Sequence, residues 1–116
     1  MKTITFLAKN CYMEKIYFLA DSENNIKIGY TRQSIKKRIQ QLQTGNGNKI
    51  ICLGWMEGNK QLEKELHLIF NNFKTSSKGE WFYPEQNIID FINRNNCEKN
   101  TYVDFVDGKL MPLLKI

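Results

Sequence analysis

Tyr17, Lys27, Arg38 and Glu63 set a phenol, an amine, a guanidinium and a carboxylate in fixed order along residues 17–63. Hydrolysis of a phosphodiester needs an activated water, charge stabilisation at phosphorus and help for the leaving oxygen. A phenol can serve as the base, a guanidinium or amine as the phosphate cation, and a carboxylate as the ligand of a hard metal ion. Taken singly these residues are ordinary: a tyrosine is a β-prone sheet residue, and a lysine or arginine is a solvated charge or half of a surface salt bridge. Together they look like the equipment of a small nuclease.

The elements that must position them are legible in the pattern. Residues 15–20 and 26–30 are short β-prone runs on either side of Asp21-Ser22-Glu23-Asn24-Asn25, a dense turn signal, which predicts a β-hairpin. Ile26 and Ile28 alternate with Lys27, so Lys27 faces away from them. Ser34 is a candidate N-cap for a helix to about Gln43, with Ile35, Ile39 and Leu42 as its apolar stripe. Arg38 lies beside that stripe, whereas Lys36 and Lys37 point further out. Residues 43–48 form a glycine-broken loop. The nearly continuous apolar run 49–56 reads as a central strand buried on both faces, with Gly54 inside it. Leu62, Leu66, Ile69, Phe70 and Phe73 stripe one helix over 59–73. After a loop at 74–79, Pro84 opens a short helix carrying Ile88, Ile89, Phe91 and Ile92. Residues 93–100 are polar and linker-like, and 101–116 form a terminal hairpin about Asp107-Gly108, with Pro112 marking an edge strand. The expected fold is α+β: a small mixed or antiparallel three-stranded sheet flanked by helices, with a C-terminal β-hairpin extension.

Composition narrows the classes. The 116 residues suffice for one domain with a core but not for two. With 41% hydrophobic and 25% charged residues the chain is neither disordered in composition nor collagen-like. It holds no apolar run long enough to span a bilayer, and its first nine residues are too short an apolar stretch for a signal peptide. A cytoplasmic protein is expected, or a nuclear one in a eukaryotic host. Cys11, Cys52 and Cys97 are odd in number and far apart, with no paired CxxC, which argues against a disulfide framework or a zinc site. The net charge of +5 favours a polyanionic partner, and residues 27–49, with Lys27, Arg32, Lys36, Lys37, Arg38 and Lys49, contain no acid at all.

Lys15-Ile16-Tyr17, Lys27-Ile28-Gly29-Tyr30-Thr31, Arg38, Leu42-Gln43-Thr44-Gly45-Asn46, Glu63-Lys64-Glu65-Leu66-His67 with Phe70, and Gly79-Glu80-Trp81-Phe82 follow one another in an order that resembles the GIY-YIG nuclease superfamily, in its compact branch from phages and large DNA viruses. The resemblance covers residues 15–84, leaving 85–116 as a helix-and-hairpin extension. It departs from the family pattern at Lys15, where the family has glycine, and at Lys27, where it has tyrosine. It implies a metal-dependent DNA endonuclease with Tyr17 as general base, its phenol lowered by a cation such as Lys27, and Arg38 on the scissile phosphate. Glu63 would hold one magnesium or manganese ion. The helical wheel leaves Glu63 and Glu65 equivalent; the family pattern selects Glu63. His67 either relays protons, touches phosphate or makes a structural hydrogen bond, and Tyr30 either lines the cleft or packs. Gly29 would let the backbone approach a phosphate. Arg32, Lys36, Lys37, Asn46 and Asn48 would make sequence-independent DNA backbone contacts. Trp81 and Phe82 read as core.

Two other readings fit the same residues. One is a nucleic-acid-binding module of this fold that lacks catalysis, and the other is a basic adaptor whose C-terminal hairpin pairs with a partner or forms a homodimer. The joint presence of Tyr17, Arg38 and Glu63 favours the enzyme.

Overall fold

The computed structural model describes residues 13–45, 47–76 and 79–116. Cys11, Asn46 and the apolar run at the N-terminus lie outside the described residues. Strands β1 (Lys15–Ala20) and β2 (Ile26–Thr31) form the expected hairpin. Asp21 closes its turn, the carboxylate accepting from the N–H groups of Glu23 and Asn25, each at 2.9 Å. Pairing sets Tyr17 opposite Gly29 and Leu19 opposite Lys27. Since strand side chains alternate, Lys15, Tyr17, Leu19, Lys27, Gly29 and Thr31 share one face, and Ile16, Phe18, Ala20, Ile26, Ile28 and Tyr30 the other.

Helix α1 (Ile35–Thr44) is capped as expected, the Ser34 hydroxyl accepting from the Lys37 N–H at 3.2 Å. Its Ile35, Ile39 and Leu42 pack on Tyr17 and Leu19. The opposite face carries the main core. There Leu66 and Phe70, from α2 (Lys60–Ile69) and its C-cap, and Ile88, Ile89 and Ile92 of α3 (Gln86–Asn95) pack on Phe18 and Ile28. No helix among the described residues is long and apolar enough to cross a membrane.

Four features differ from the sequence expectation. The sheet has four strands, not three, in the order β3-β1-β2-β4, with every pair antiparallel. The added strand, β4 (Trp81–Phe82), is two residues long, too short to show a period; Lys27 faces Trp81 across it. β3 (Ile51–Glu57) is an edge strand rather than a central one, and β1 is the strand buried along its whole length. The helix expected over 59–73 stops at Ile69 and tightens into a 3₁₀ turn at Asn71–Phe73, because two asparagines interrupt good helix formers while Phe73 still packs on the core. Finally, α3 runs on to Asn95, so only the residues after it connect to the hairpin.

β3 reads as buried because its outer edge is covered. Register slips by one residue beside Phe18 and Leu19, leaving Leu53 as a bulge. The Asn96 side chain fills the gap: its Oδ1 accepts from the Trp55 N–H at 3.1 Å and its Nδ2 donates to the Leu53 carbonyl at 3.3 Å. The Cys97 N–H then donates to the Trp55 carbonyl at 2.7 Å. A Cβ on Gly54, whose φ is +155°, would overlap that amide, which accounts for glycine inside this strand. Asn96→Ala removes these two bonds and a third, from the Glu98 N–H at 2.9 Å, and is expected to cost about 2–3 kcal/mol. Asn95→Ala, which loses one bond to the Phe91 carbonyl within its own helix, should cost under about 1 kcal/mol. Urea midpoints of the two variants check this, and equal losses would remove the bulge from the account.

β5 (Thr101–Val106) and β6 (Lys109–Leu114) form a separate two-stranded sheet. Asp107 and Gly108 both have positive φ, as a type I′ turn demands. The hairpin is docked through Val103 and Leu110, both 2% exposed. Two asparagine amides hold its backbone: Asn93 to both Val103 groups (2.7 and 3.0 Å), and Asn24 to the Leu110 N–H and the Gly108 carbonyl (2.9 and 2.8 Å). With the Phe105 N–H taken by Asp104 and Pro112 lacking one, the outer edges offer few donors to a second copy.

Candidate functional site

The face carrying Tyr17 holds the first group of site residues. Tyr17 lies opposite Gly29, and a Cβ there would overlap the phenol carbons and hydroxyl of Tyr17. The missing side chain is therefore occupied by the Tyr17 ring. That ring is 1% exposed, walled by Leu19, Ile35, Ile39, Leu42, Ile50 and Trp81. Arg38 rises from α1 beside this stripe, half-buried, and its Nε donates to the Tyr17 hydroxyl at 3.4 Å. So long a bond is weak and easily exchanged. Lys36 and Lys37 are exposed, as their position on the wheel requires, and so are Arg32 and Asn48.

Lys27 shares the Tyr17 face, one register step away. It is only 8% exposed, and its Nζ bonds the Glu80 Oε2 at 2.6 Å and stands 5.5 Å from the centre of the Trp81 ring. The second group arrives along the side of β2 that β4 pairs, just beyond their two-residue ladder. At Ile28 the backbone N–H donates to the Glu80 carbonyl (3.3 Å), and the carbonyl is bonded by His67 Nε2 at 2.8 Å. His67 also packs edge-on against Phe82, 5.1 Å between ring centres. One helical turn earlier, Glu63 is half-buried where Glu65 is exposed, a difference in burial that the wheel did not give.

Burial first, and the nearby Glu80 carboxylate second, push the Glu63 carboxyl above its ordinary value of 4.5; His67, Lys60 and Lys27 oppose this. The folded protein therefore takes up a proton on Glu63 at a pH where the unfolded chain would release it. Stability from this group is greatest below the ordinary value and falls as pH rises from there through the raised one. In metal-free buffer Glu63→Gln should melt higher than wild type at pH 7, with the gap closing as pH falls below about 4.5. A melting series from pH 4 to 7.5 reads the effect directly. A variant less stable at neutral pH, or a gap that ignores pH, would refute it.

Glu63 is a half-buried carboxylate with a second carboxylate, the Lys27-paired Glu80, nearby, and an oxygen donor of this kind is the chemistry a hard divalent cation would need from the protein. Among the described residues no group of three or more His, Cys, Asp or Glu side chains stands together to hold a metal alone. A cation held at Glu63 would therefore need its other ligands from water and substrate oxygens.

Tyr30 falls on the opposite face from Tyr17, half-buried against the main core, and donates to the Glu14 carboxylate at 2.5 Å. That bond, then desolvation, raises its phenol above the ordinary value. Two residues were missed by sequence reasoning. Lys15 is buried on the Tyr17 face, its ammonium bonded to the Met13 and Gln33 carbonyls (3.0 and 3.2 Å), so it ties the loop leading to α1 onto β1. Its period-two spacing from Tyr17 was the available signal. Glu80 is the other; an acid directly before the aromatic pair Trp81-Phe82 was the only hint.

A cleft of about 270 Å³ lies elsewhere, between the β1–β2 turn and β6, and none of the candidate residues lines it. No curated protein and no solved structure matches the chain. The family model of the T5orf172 domain matches residues 14–96, which span both groups of site residues and exclude the C-terminal hairpin. The chain thus belongs to the T5orf172 domain family, a phage-associated domain related to nuclease clans.

Proposed function

We propose that the protein is a metal-dependent DNA endonuclease of the GIY-YIG type. The observation that carries this reading is the contact between Arg38 Nε and the Tyr17 hydroxyl on a sheet face that also holds Lys27, within a T5orf172 domain. Tyr17, as a phenolate, would accept a proton from the attacking water; the water oxygen bonds to phosphorus as the bond to the leaving sugar oxygen breaks, and that oxygen takes a proton from solvent. Arg38 presents its planar donor fork to the scissile phosphate, and Lys27 adds positive charge beside it. Glu63 would hold one magnesium or manganese ion, which supplies Lewis-acid stabilisation at phosphorus. Because Tyr17 is 1% exposed, water reaches the phenol only once Arg38 turns from it to a phosphate. Phosphate binding and uncovering of the base are then one event. Arg32, Lys36, Lys37, Asn46 and Asn48 contact the DNA backbone and give affinity without sequence information.

The same burial of Tyr17 favours a second reading, a DNA-binding module of this fold without catalysis. One assay separates the two: supercoiled plasmid with magnesium or manganese, wild type beside Glu63→Ala and Arg38→Ala. Metal-dependent nicking abolished by both substitutions supports the nuclease. Retention of DNA without nicking, across metals and DNA forms, supports the binding module.

A further inference from the structure

Lys27 and Glu80 form the sole salt bridge among the described residues, in a chain with 17 basic and 12 acidic residues. Its two halves differ in kind. The lysine is 8% exposed, flanked by the Trp81 ring, and fixed on a paired strand. The glutamate side chain is 48% exposed, although its own backbone carbonyl is anchored to the Ile28 N–H at 3.3 Å. A buried ammonium needs acceptors around it, which Lys15 finds in two backbone carbonyls and Lys27 in the Glu80 carboxylate, while an exposed carboxylate loses little by returning to water. The lysine is thus a fixed anion site, and the glutamate is an anion that can leave it.

Resting on the DNA-cleaving reading above, we infer that Glu80 is an internal stand-in for a DNA phosphate: it occupies Lys27 in the free protein and is displaced when a backbone phosphate docks beside Tyr17 and Arg38. The geometry suits an exchange. The carboxylate reaches Lys27 from the solvent side, and Lys27 lies on the face where Tyr17 and Arg38 meet. Released, Glu80 would remain close to Glu63, because its backbone does not need to move. Occupation of Lys27 by Glu80 lowers the affinity for bare phosphate and makes tight binding conditional on the neighbouring contacts forming as well.

The test is a double-mutant cycle on binding of a short DNA duplex, with Glu80→Gln, Lys27→Met and the pair, across a salt series. Glu80→Gln should tighten binding by about tenfold at low salt, the worth of one charge-assisted contact. It should also steepen the dependence of log K on log salt by about 0.9, as one further phosphate is neutralised. In the Lys27→Met background the same change should do neither. Inorganic phosphate should raise the melting temperature of Glu80→Gln more than that of wild type at matched ionic strength, a readout independent of DNA. Unchanged or weaker binding by a folded Glu80→Gln overturns the inference, and so does a gain that persists without Lys27, which would reflect only the general field. Wild type that fails to bind DNA at all overturns the nuclease reading and this inference with it. Wild-type binding that Glu80→Gln leaves untouched overturns this inference alone.

Discussion

Arg38→Ala is expected to lower plasmid nicking by about a hundredfold or more, and Glu63→Gln by a similar factor, which are the losses typical of a donor or ligand acting on developing charge. Lys36→Ala and Lys37→Ala should each cost only a few fold, through weaker DNA binding at raised salt. The contrast follows from where these cations sit. Arg38 is held at the edge of the α1 stripe with its Nε on Tyr17, while Lys36 and Lys37 stand exposed one step round the helix. Freely solvated ammoniums stabilise bound and activated DNA alike, so their loss raises KM and spares kcat. In the proposed mechanism a half-buried guanidinium bonded to Tyr17 would act on the transition state, so its loss would lower kcat. Arg38→Lys keeps the charge but loses the fork and the Nε–hydroxyl contact, so it should fall between wild type and alanine. Equal losses at Arg38 and Lys36, or Arg38→Ala nicking at the wild-type rate, would remove Arg38 from the chemistry.

Part of this site was legible in the sequence for definite reasons. The β1–β2 hairpin was readable because Asp21 and the asparagines mark its turn, and strand alternation then placed Lys27 away from Ile26 and Ile28; that it shares the Tyr17 face depends on the pairing register, which the structure supplies. The stripe of Ile35, Ile39 and Leu42 placed Arg38 at an edge, where it lies. What escaped depended on contacts distant in sequence. The partner of Lys27 is Glu80, a residue no local period could link to it, and β4 exists only because Trp81 and Phe82 pair with β2. β3 read as a central strand because its apolar run resembles one; its edge is closed by the Asn96 amide, a polar residue in a stretch that composition marks as linker. Glu63 and Glu65 were equivalent on an ideal wheel, and their different burial comes only with the packing of α2 over β2.

Gly29→Ala offers the sharpest test of how the fold builds the base. Intrinsic preference predicts a gain: glycine inside a strand ordinarily costs about 0.5–1 kcal/mol relative to alanine. The structure predicts the reverse. A Cβ at residue 29 would overlap the Tyr17 phenol and stand 2.6 Å from its Cε1. The ring cannot swing clear, since Tyr17 is 1% exposed and α1 covers it. The variant should lose about 1–3 kcal/mol, the usual cost of overpacking a core. It should also lose nicking, because the displaced hydroxyl no longer meets Arg38. Removing the obstacle should remove the penalty, so in a Tyr17→Ala background Gly29→Ala should cost little or even stabilise. The difference between the two backgrounds measures the contact itself, with strand propensity cancelled. An identical effect in both would mean that the ring does not fill the space above Gly29, and the placement of Tyr17 as a base beneath Arg38 would fall with it.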